Sequence, residues 1–284
     1  MKKIIALAVA GAFVVPAYAA DITMSGEIEY MFQKYESDGV SGAVGDEDVQ
    51  ITATEEANGV AITGFVRIND GTAVGALSLG GEFGTVEVGS DTGTASEAID
   101  EVAGVAEWEL GDSASAATTA EAVTARYTLP TLVDGLVIKA SYGAGAGTND
   151  AADTNEFVVT SYALQYTVGM VTLGYATIDD EQTPTYDTSL MNAKMVTGPI
   201  TLAYEQTAND GALNTDISAI GAVYNYGGGN VFVEAQTTDT NGVETNDSAV
   251  GVSYKIGGVN MYIQSNSGDT VADNGKVIGV EYAF

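Results

Sequence analysis

The sequence of 284 residues predicts an all-β fold, a 16-stranded antiparallel transmembrane β-barrel. About sixteen segments alternate apolar and polar residues with the two-residue period of a β-strand. The N-terminus has the pattern of a secretory signal peptide. The chain ends with an alternating segment whose last residue is the aromatic Phe284. Together these features predict an exported chain whose strands close into one sheet within a lipid bilayer.

Residues 1–19 have the three parts of a signal peptide. Two lysines follow Met1, an apolar run extends over residues 4–15, and Ala17 and Ala19 form an A-x-A cleavage site. The apolar run has about a dozen residues, whereas a transmembrane helix needs about 20. We therefore expect residues 1–19 to be removed and residues 20–284 to form a single β-barrel domain.

The composition is strongly acidic, with 39 Asp and Glu against 9 Lys and Arg. Removing the predicted signal peptide takes away two basic residues and no acidic one, so the net charge changes from −30 to near −32. Nucleic-acid binding needs a basic surface, so this balance argues against it. With 45% hydrophobic residues, the chain is also too apolar for a disordered acidic protein. The acidic excess favours cations as partners.

The chain contains neither Cys nor His. Without disulfides, its stability must come from a large cooperative hydrogen-bond network, which a closed barrel provides. Without His, a Ser-His-Asp triad is impossible, and a zinc site would depend on carboxylates alone. The sequence therefore argues against an enzyme, and it predicts no catalytic residue, no metal ligand and no required cofactor.

The alternating segments are separated by short Gly-rich turns and longer polar connections. Residues 58–59 form a strong hairpin signal, Asn-Gly, whereas residues 238–247 are predicted as a longer connection. Short turns at one end and long loops at the other are typical of an up-and-down membrane barrel. The predicted strands are 22–35, 49–55, 60–69, 74–80, 85–89, 123–129, 136–142, 157–167, 171–178, 189–196, 200–207, 217–226, 231–237, 249–256, 259–264 and 276–284.

The distribution of apolar residues argues against a soluble β-sandwich or β-solenoid, which would show the same alternation. Leu202 and Tyr204 alternate with Thr201 and Glu205, and other segments repeat this pattern. It predicts an apolar exterior and a polar interior, an inversion that suits a bilayer. Tyrosines at strand ends would form interfacial girdles. The tyrosines predicted to face outward there are Tyr142, Tyr166, Tyr175, Tyr204, Tyr226, Tyr254 and Tyr282.

These features resemble the Gram-negative general porins, and in particular the short, Gly-rich, acidic porins typified by Rhodobacter. The resemblance rests on the signal peptide, the alternating segments and the C-terminal strand that ends in Phe284. The Pro-Glu-Phe-Gly-Gly-Asp motif of the enterobacterial porins is absent. The resemblance implies a multi-pass barrel in the bacterial outer membrane, a homotrimer in contact with lipid and lipopolysaccharide, and passive diffusion of small hydrophilic solutes.

The longest segment without strand alternation, residues 90–120, follows the fifth predicted strand. Its position matches the porin loop that folds into the barrel, so the resemblance implies a constriction loop here. Acids on this loop would face basic residues on the barrel wall, and their transverse field would favour polar solutes over apolar ones. The residues predicted at the constriction are Asp91, Glu97, Asp100, Glu101, Arg67, Arg126 and Lys139.

Three further groups of residues are candidates for binding. Tyr282 and Phe284 resemble the C-terminal signal that the barrel-assembly machinery recognises. Lys34 and Lys276 lie at predicted strand ends near the outer rim, where lipopolysaccharide phosphates are found. The acidic clusters 46–48 and 179–181 offer oxygen ligands for calcium. They lack an EF-hand pattern, so solvated acidic loops are the simpler interpretation.

The sequence therefore predicts an outer-membrane porin, a passive diffusion channel for small hydrophilic solutes and ions. Cation selectivity is expected because acidic residues dominate the predicted inward face. Two alternatives share the architecture: a substrate-selective channel, and a structural surface barrel that does not conduct.

Overall fold

A computed structural model describes most of the chain after the predicted signal peptide. The described residues are 20–35, 40–69, 72–90, 92–95, 123–146, 156–180, 186–210, 214–269 and 274–284. Sixteen strands lie in these ranges: β1 (Asp21–Tyr35), β2 (Val40–Ala57), β3 (Val60–Asn69), β4 (Thr72–Gly81), β5 (Gly84–Gly89), β6 (Val123–Thr128), β7 (Leu136–Ala146), β8 (Glu156–Val168), β9 (Val171–Asp180), β10 (Tyr186–Thr197), β11 (Ile200–Asn209), β12 (Thr215–Asn225), β13 (Asn230–Thr240), β14 (Val243–Ile256), β15 (Val259–Gly268) and β16 (Gly275–Ala283).

The strands form one closed antiparallel barrel. Each strand pairs with its neighbours in the chain, and β1 pairs with β16 to close the sheet. The predicted 16-stranded antiparallel barrel is therefore confirmed. The end that carries Asp21, Phe284 and the turns 58–59 and 257–258 is termed the turn end, and the opposite end the loop end. Within the described ranges, no helix has the length and apolarity needed to cross a membrane.

Alternation places the apolar side chains outside the barrel and most of the polar ones inside. In β1, Phe32 is 57% exposed, whereas the next residue, Gln33, is 7% exposed. The same contrast separates Val233 from Glu234 on β13. A step of one residue along a strand reverses the direction of the side chain, so each strand contributes to both faces. The outward apolar belt expected of a bilayer-spanning barrel is present.

The prediction of a longer connection at residues 238–247 is wrong. β13 and β14 are joined by a two-residue turn, Asn241-Gly242, in which both residues have positive φ, 55° and 82°. The Gly242 N–H donates a hydrogen bond to Asp239 Oδ1 at 2.7 Å. Asn-Gly is a strong hairpin signal. The residues on either side of it are polar, however, so they lack the apolar alternation by which the other strands were predicted. Short turns and long loops therefore do not alternate strictly.

β2 is much longer than the predicted segment 49–55 and has 18 residues. The acidic cluster 46–48 lies inside this strand and not in a loop. Glu47 accepts a hydrogen bond from Tyr30 Oη at 3.0 Å on the outer face, whereas Asp48 faces the interior. Alternation thus separates neighbouring carboxylates, which argues against a compact calcium loop.

Most other strands extend beyond their predicted limits because backbone pairing continues past the apolar belt. β7 reaches Ala146 instead of residue 142, and β15 reaches Gly268 instead of residue 264. The predicted strands 123–129 and 217–226, in contrast, end one residue later than β6 and β12. Hydropathy marks the membrane-facing part of a strand and not the whole hydrogen-bonded ladder.

The inner face is less uniformly polar than predicted. Glycines on neighbouring strands make room for large inward rings. The Phe232 ring lies over Gly251, and the Tyr262 ring lies over Gly279, so a Cβ at either glycine would collide with the ring. The nearly buried apolar residues of the inner face include Met31, Phe232, Tyr262 and Val277.

The last residue of the chain completes the seam between β1 and β16. The Phe284 N–H donates to Gly26 O at 3.0 Å, and the Gly26 N–H donates to Phe284 O at 3.1 Å. The Phe284 ring covers the outer side of Gly26 and lies 6.0 Å, centroid to centroid, from the Tyr282 ring. The absence of a side chain at Gly26 therefore provides the surface on which the C-terminal aromatic packs.

Replacing Gly26 with Val should weaken this seam. A Cβ there would lie 2.6 Å from Phe284 Cζ and 2.5 Å from Asp48 O, so the ring or the strand must move. Ala222→Val is an outward control away from the seam, because Ala222 lies opposite the exposed Leu202 and Val233 on its two neighbouring strands. We expect less heat-modifiable folded barrel for Gly26→Val alone on electrophoresis of unheated samples. Equal yields for the two variants would contradict this role.

Candidate pore and its charged lining

The interior of the barrel is lined by charged side chains from strands all around the sheet. The register places the four predicted wall cations on the inner face, and it places acids on the same face. The inward cations of this set are Arg67, Arg126, Lys139 and Lys194, and the inward acids predicted from alternation are Glu27, Glu29, Glu205, Glu234 and Glu281. The candidate functional site is therefore the lumen itself.

Arg126 on β6 pairs with Glu87, which lies directly opposite on β5. Glu87 Oε2 accepts hydrogen bonds from Arg126 Nε at 3.1 Å and from Arg126 Nη2 at 2.9 Å. The side chains are only 15% and 24% exposed, so the pair is partly desolvated. Hydrogen bonds between charged groups in such a setting are stronger than neutral ones. The guanidinium is held against the wall and neutralised locally.

Arg126 also fixes the start of the long connection after β5. Its Nη1 donates to Thr94 O at 3.4 Å, and the Ala95 N–H donates to Ser141 Oγ on β7 at 2.8 Å. Ala95 is fully buried and packs in a cluster with inner-wall side chains of β8, β9 and β10. Those side chains are Ala163, Ala176 and Leu190. Residues 92–95 therefore enter the barrel and do not leave it at the rim.

The predicted constriction acids cannot be placed from this geometry. Asp91, Glu97, Asp100 and Glu101 all lie outside the described residues. Their role at a constriction stays a prediction.

Lys139 and Arg67 occupy different surroundings on the wall. Lys139 lies on β7 opposite Thr128 and Ala163, two residues from Ser141, and is close to the start of the long connection. Arg67 lies on β3, and its Nε is 3.7 Å from Asp48 Oδ2. At 36% exposure, Arg67 is more accessible to the lumen than Arg126. Of the two predicted arginines, Arg67 is the better placed to meet a passing ion.

Carboxylates line the inner side of the seam between β1 and β16. Glu29 and Glu281 lie directly opposite each other, and Glu27 lies opposite Asp48 on β2. Tyr262 Oη donates to Glu29 Oε1 at 2.7 Å, and Asn260 Nδ2 donates to Glu281 Oε2 at 3.2 Å. Both donors are neutral groups, and they orient the two carboxylates. The seam therefore presents a row of carboxylates on the lumen side.

The sequence pattern did not identify several residues that organise this wall. Glu87 and Ser141 belong to short or Gly-rich segments, and Asp48 was grouped with a predicted acidic loop. Inward alternation of Glu87 on β5 is the signal that points to it. Within the described part of the chain, no group of three or more acidic side chains is arranged to hold a metal ion.

The sequence matches a family model described as Gram-negative porin over residues 6–276. The chain therefore belongs to the Gram-negative porin family. Family and fold together make it a multi-pass β-barrel of the bacterial outer membrane. A comparison with curated protein sequences gave no match.

Solved porin structures share the fold at low sequence identity. A loop L8 deletion mutant of OmpT, an outer membrane protein of Vibrio cholerae, has a TM-score of 0.74 and 14% identity, covering 94% of this chain and 100% of that chain. A mutant of Rh. blastica porin has a TM-score of 0.71 and 18% identity, covering 93% and 100%. The trimer form of Vibrio cholerae OmpT has a TM-score of 0.72 and 15% identity, covering 94% and 100%. Such identities show a common fold alone.

Replacing Glu87 with Gln should destabilise the barrel wall measurably. Arg126 would remain partly buried without its counter-charge, at a cost of about 1–3 kcal/mol. Asp48→Asn is the matched control, because its longer and more exposed pair with Arg67 should contribute less than about 1 kcal/mol. We expect a lower midpoint of thermal unfolding for Glu87→Gln, followed by circular dichroism in detergent. An unchanged midpoint for Glu87→Gln would contradict a stabilising role of the pair between Glu87 and Arg126.

Proposed function

We propose that this protein is a passive diffusion channel for small hydrophilic solutes and ions, with a preference for cations. The observation that carries the proposal is the closed 16-stranded barrel with a charged inner face and an apolar outer face. Small barrels are filled by side chains, whereas barrels of 16 to 18 strands leave an aqueous channel. Family membership supports an outer-membrane channel.

The preference for cations follows from the balance of charges inside the barrel. Two of the inward cations already have acidic partners, Arg126 with Glu87 and Arg67 with Asp48. The inward acids include Glu27, Glu29, Asp48, Glu56, Glu87, Glu205, Glu234, Asp247 and Glu281, and the inward bases are Arg67, Arg126, Lys139, Lys194 and Lys255. In a pore narrower than about 16 Å, twice the Debye length at physiological salt, such charges act on every passing ion.

Three alternatives make different demands on the lumen. A substrate-selective channel would need a binding site that saturates, and a structural barrel would need a blocked lumen. An enzyme would need reactive groups, and without Cys and His the carboxylates, hydroxyls and amines would have to supply them. We propose a non-enzymatic channel because the inner wall supplies charges distributed over many strands instead of one concentrated constellation.

Replacing Glu29 and Glu281 together with Gln should lower the preference for K⁺ over Cl⁻. Both carboxylates line the seam, and their donors Tyr262 and Asn260 can also hydrogen-bond an amide. The measurement is the reversal potential of single channels in planar bilayers across a KCl gradient. Arg67→Ala should raise the preference. Both effects should shrink in 1 M salt, where the Debye length falls to about 3 Å.

The same recordings distinguish the alternatives. A general pore gives large steps whose current does not saturate with solute, a selective channel gives current that one solute saturates, and a structural barrel gives none. Anion selectivity of the unchanged protein would overturn the proposed charge balance.

We also propose a homotrimer, with the outer faces of β2 to β5 as the contact surface. No tyrosine occurs between Tyr35 and Tyr127, so the outward girdle is interrupted along these strands. Apart from Glu47 and Glu55 on β2, their outward residues are mostly small or aliphatic, including Gly64, Gly75 and Leu77, which suits close packing of protein against protein. The similar OmpT structure in a trimer form supports this assembly.

Leu77→Trp should disrupt the oligomer, whereas Leu202→Trp should not. The two leucines are similarly exposed, at 48% and 42%, but Leu202 lies on β11 beside Tyr204 in the girdled part of the wall. A bulky ring is tolerated by lipid and excluded from a packed interface. Native electrophoresis of cross-linked samples reports the result. Intact oligomer for Leu77→Trp would place the contact elsewhere.

The C-terminal strand has a further proposed partner. Tyr282 and Phe284 face outward at the turn end, which is compatible with recognition of this strand by the barrel-assembly machinery before closure.

A further inference from the structure

Three Asn-Gly pairs occur in this chain, at residues 58–59, 241–242 and 274–275. An asparagine followed by glycine is open to deamidation, because glycine has no side chain that would hinder the reaction. The backbone nitrogen of the glycine attacks Cγ of the asparagine side chain, ammonia leaves, and a cyclic succinimide forms. Water then opens the ring at either carbonyl and gives aspartate or isoaspartate. The surroundings of each pair decide which of the three reacts.

The pair at residues 274–275 is held on both sides of the bond that would react. Asn274 Oδ1 accepts a hydrogen bond from the Gly268 N–H at 2.8 Å, which fixes the side-chain amide. Gly275 is buried and pairs with β15 on one side and with β1 on the other. Attack by the Gly275 nitrogen would require local opening of the seam. This pair is therefore protected.

The other two pairs form two-residue hairpin turns with the same local sequence, Asn-Gly-Val. Asn58 lies in the turn between β2 and β3, Asn241 lies in the turn between β13 and β14, and both have a φ of 55°. The glycines that follow them also have positive φ, 77° and 82°, as such turns require. All four residues are exposed. A difference in reactivity must therefore come from contacts outside the turn backbone.

The contacts of the attacking nitrogen distinguish the two turns. The Gly242 N–H donates a hydrogen bond to Asp239 Oδ1 at 2.7 Å. That bond must break before the nitrogen can attack, and the negative carboxylate opposes loss of the amide proton. Among the described residues, neither the Asn58 side chain nor the Gly59 N–H has a hydrogen-bond partner. The attacking nitrogen is thus held in one turn and available in the other.

We propose that Asn58 is a deamidation site, and that the turn between β2 and β3 accumulates aspartate and isoaspartate as the protein ages. Each event consumes one water, releases one ammonia and adds one carboxylate at the turn end. The new carboxylate lies two residues from Glu56, which belongs to the inward acids. Isoaspartate also lengthens the turn backbone by one carbon. A Cβ added at Gly59 would meet nothing within 4 Å, so the turn has space for this change and the barrel stays closed.

The proposal is tested by peptide mapping of the purified full-length protein, kept folded in detergent at neutral pH for several weeks. Mass spectrometry measures the deamidated fraction of each peptide, and chromatography separates aspartate from isoaspartate. We expect Asn58 to react about tenfold faster than Asn241, because a hydrogen bond to a charged group must first break at Gly242. Asn274 should react least. Equal rates at Asn58 and Asn241, or a faster rate at Asn241, would overturn the proposal.

The unfolded protein provides the control for local sequence. In denaturant the two Asn-Gly-Val segments should react at similar rates, because neither is then held by a folded contact. A tenfold difference that persists after unfolding would refute the structural cause.

A variant tests whether the carboxylate protects the second turn. Asp239→Ala removes the acceptor of the Gly242 N–H, so the rate at Asn241 should rise toward that at Asn58. Asp216→Ala is the matched control, because Asp216 lies directly opposite Asp239 and should leave the rate at Asn241 unchanged. An unchanged or lower rate in Asp239→Ala would refute this protection. Electrophoresis of unheated samples verifies that each variant is folded, and the chemical readout is independent of the proposed channel.

Discussion

The structure depends above all on the requirement that every backbone N–H and C=O within a bilayer has a partner. In a sheet this requirement is met only when the last strand pairs with the first. Here the pairing of β1 with β16 runs from Glu27 to Tyr35, and Phe284 extends it through two hydrogen bonds to Gly26. With no Cys in the chain, no disulfide stabilises this ring. The pairing of β1 with β16 is therefore the one on which the other fifteen strand pairings depend.

Closure of the barrel also separates the side chains into those that face lipid and those that face the lumen. Because direction alternates along each strand, one register sends apolar residues to lipid and charged residues to the lumen, and a slip of one residue would exchange them. Charges that would be very costly in lipid thus cost little where they are. The lumen still contains large rings, and Phe232 and Tyr262 fit there because Gly251 and Gly279 leave room on the next strand.

The charged side chains of the inner wall differ in the partners that hold them. Arg126 is tied to Glu87 and to the backbone of Thr94, so its charge serves to hold the start of the long connection inside the barrel. Glu29 accepts a hydrogen bond from Tyr262, and Glu281 accepts one from Asn260, so neutral groups orient both carboxylates. On the outer face, Lys34 and Lys276 lie directly opposite each other across the seam.

The sequence by itself determined the number of strands, the direction of most side chains and the acidic character of the interior, because a period of two is a local property of the chain. It did not determine contacts between distant strands. Tyr262 and Glu29 lie 233 positions apart, and only the closed register brings them together. The polar ends of strands such as β2 and β14 could not be predicted from the sequence either. Hydropathy indicates only the part of a strand that faces the bilayer, whereas backbone pairing continues beyond that part. The pairing of Lys34 with Lys276 and the seat of Phe284 on Gly26 arise in the same way, from closure of the sheet and not from any local pattern.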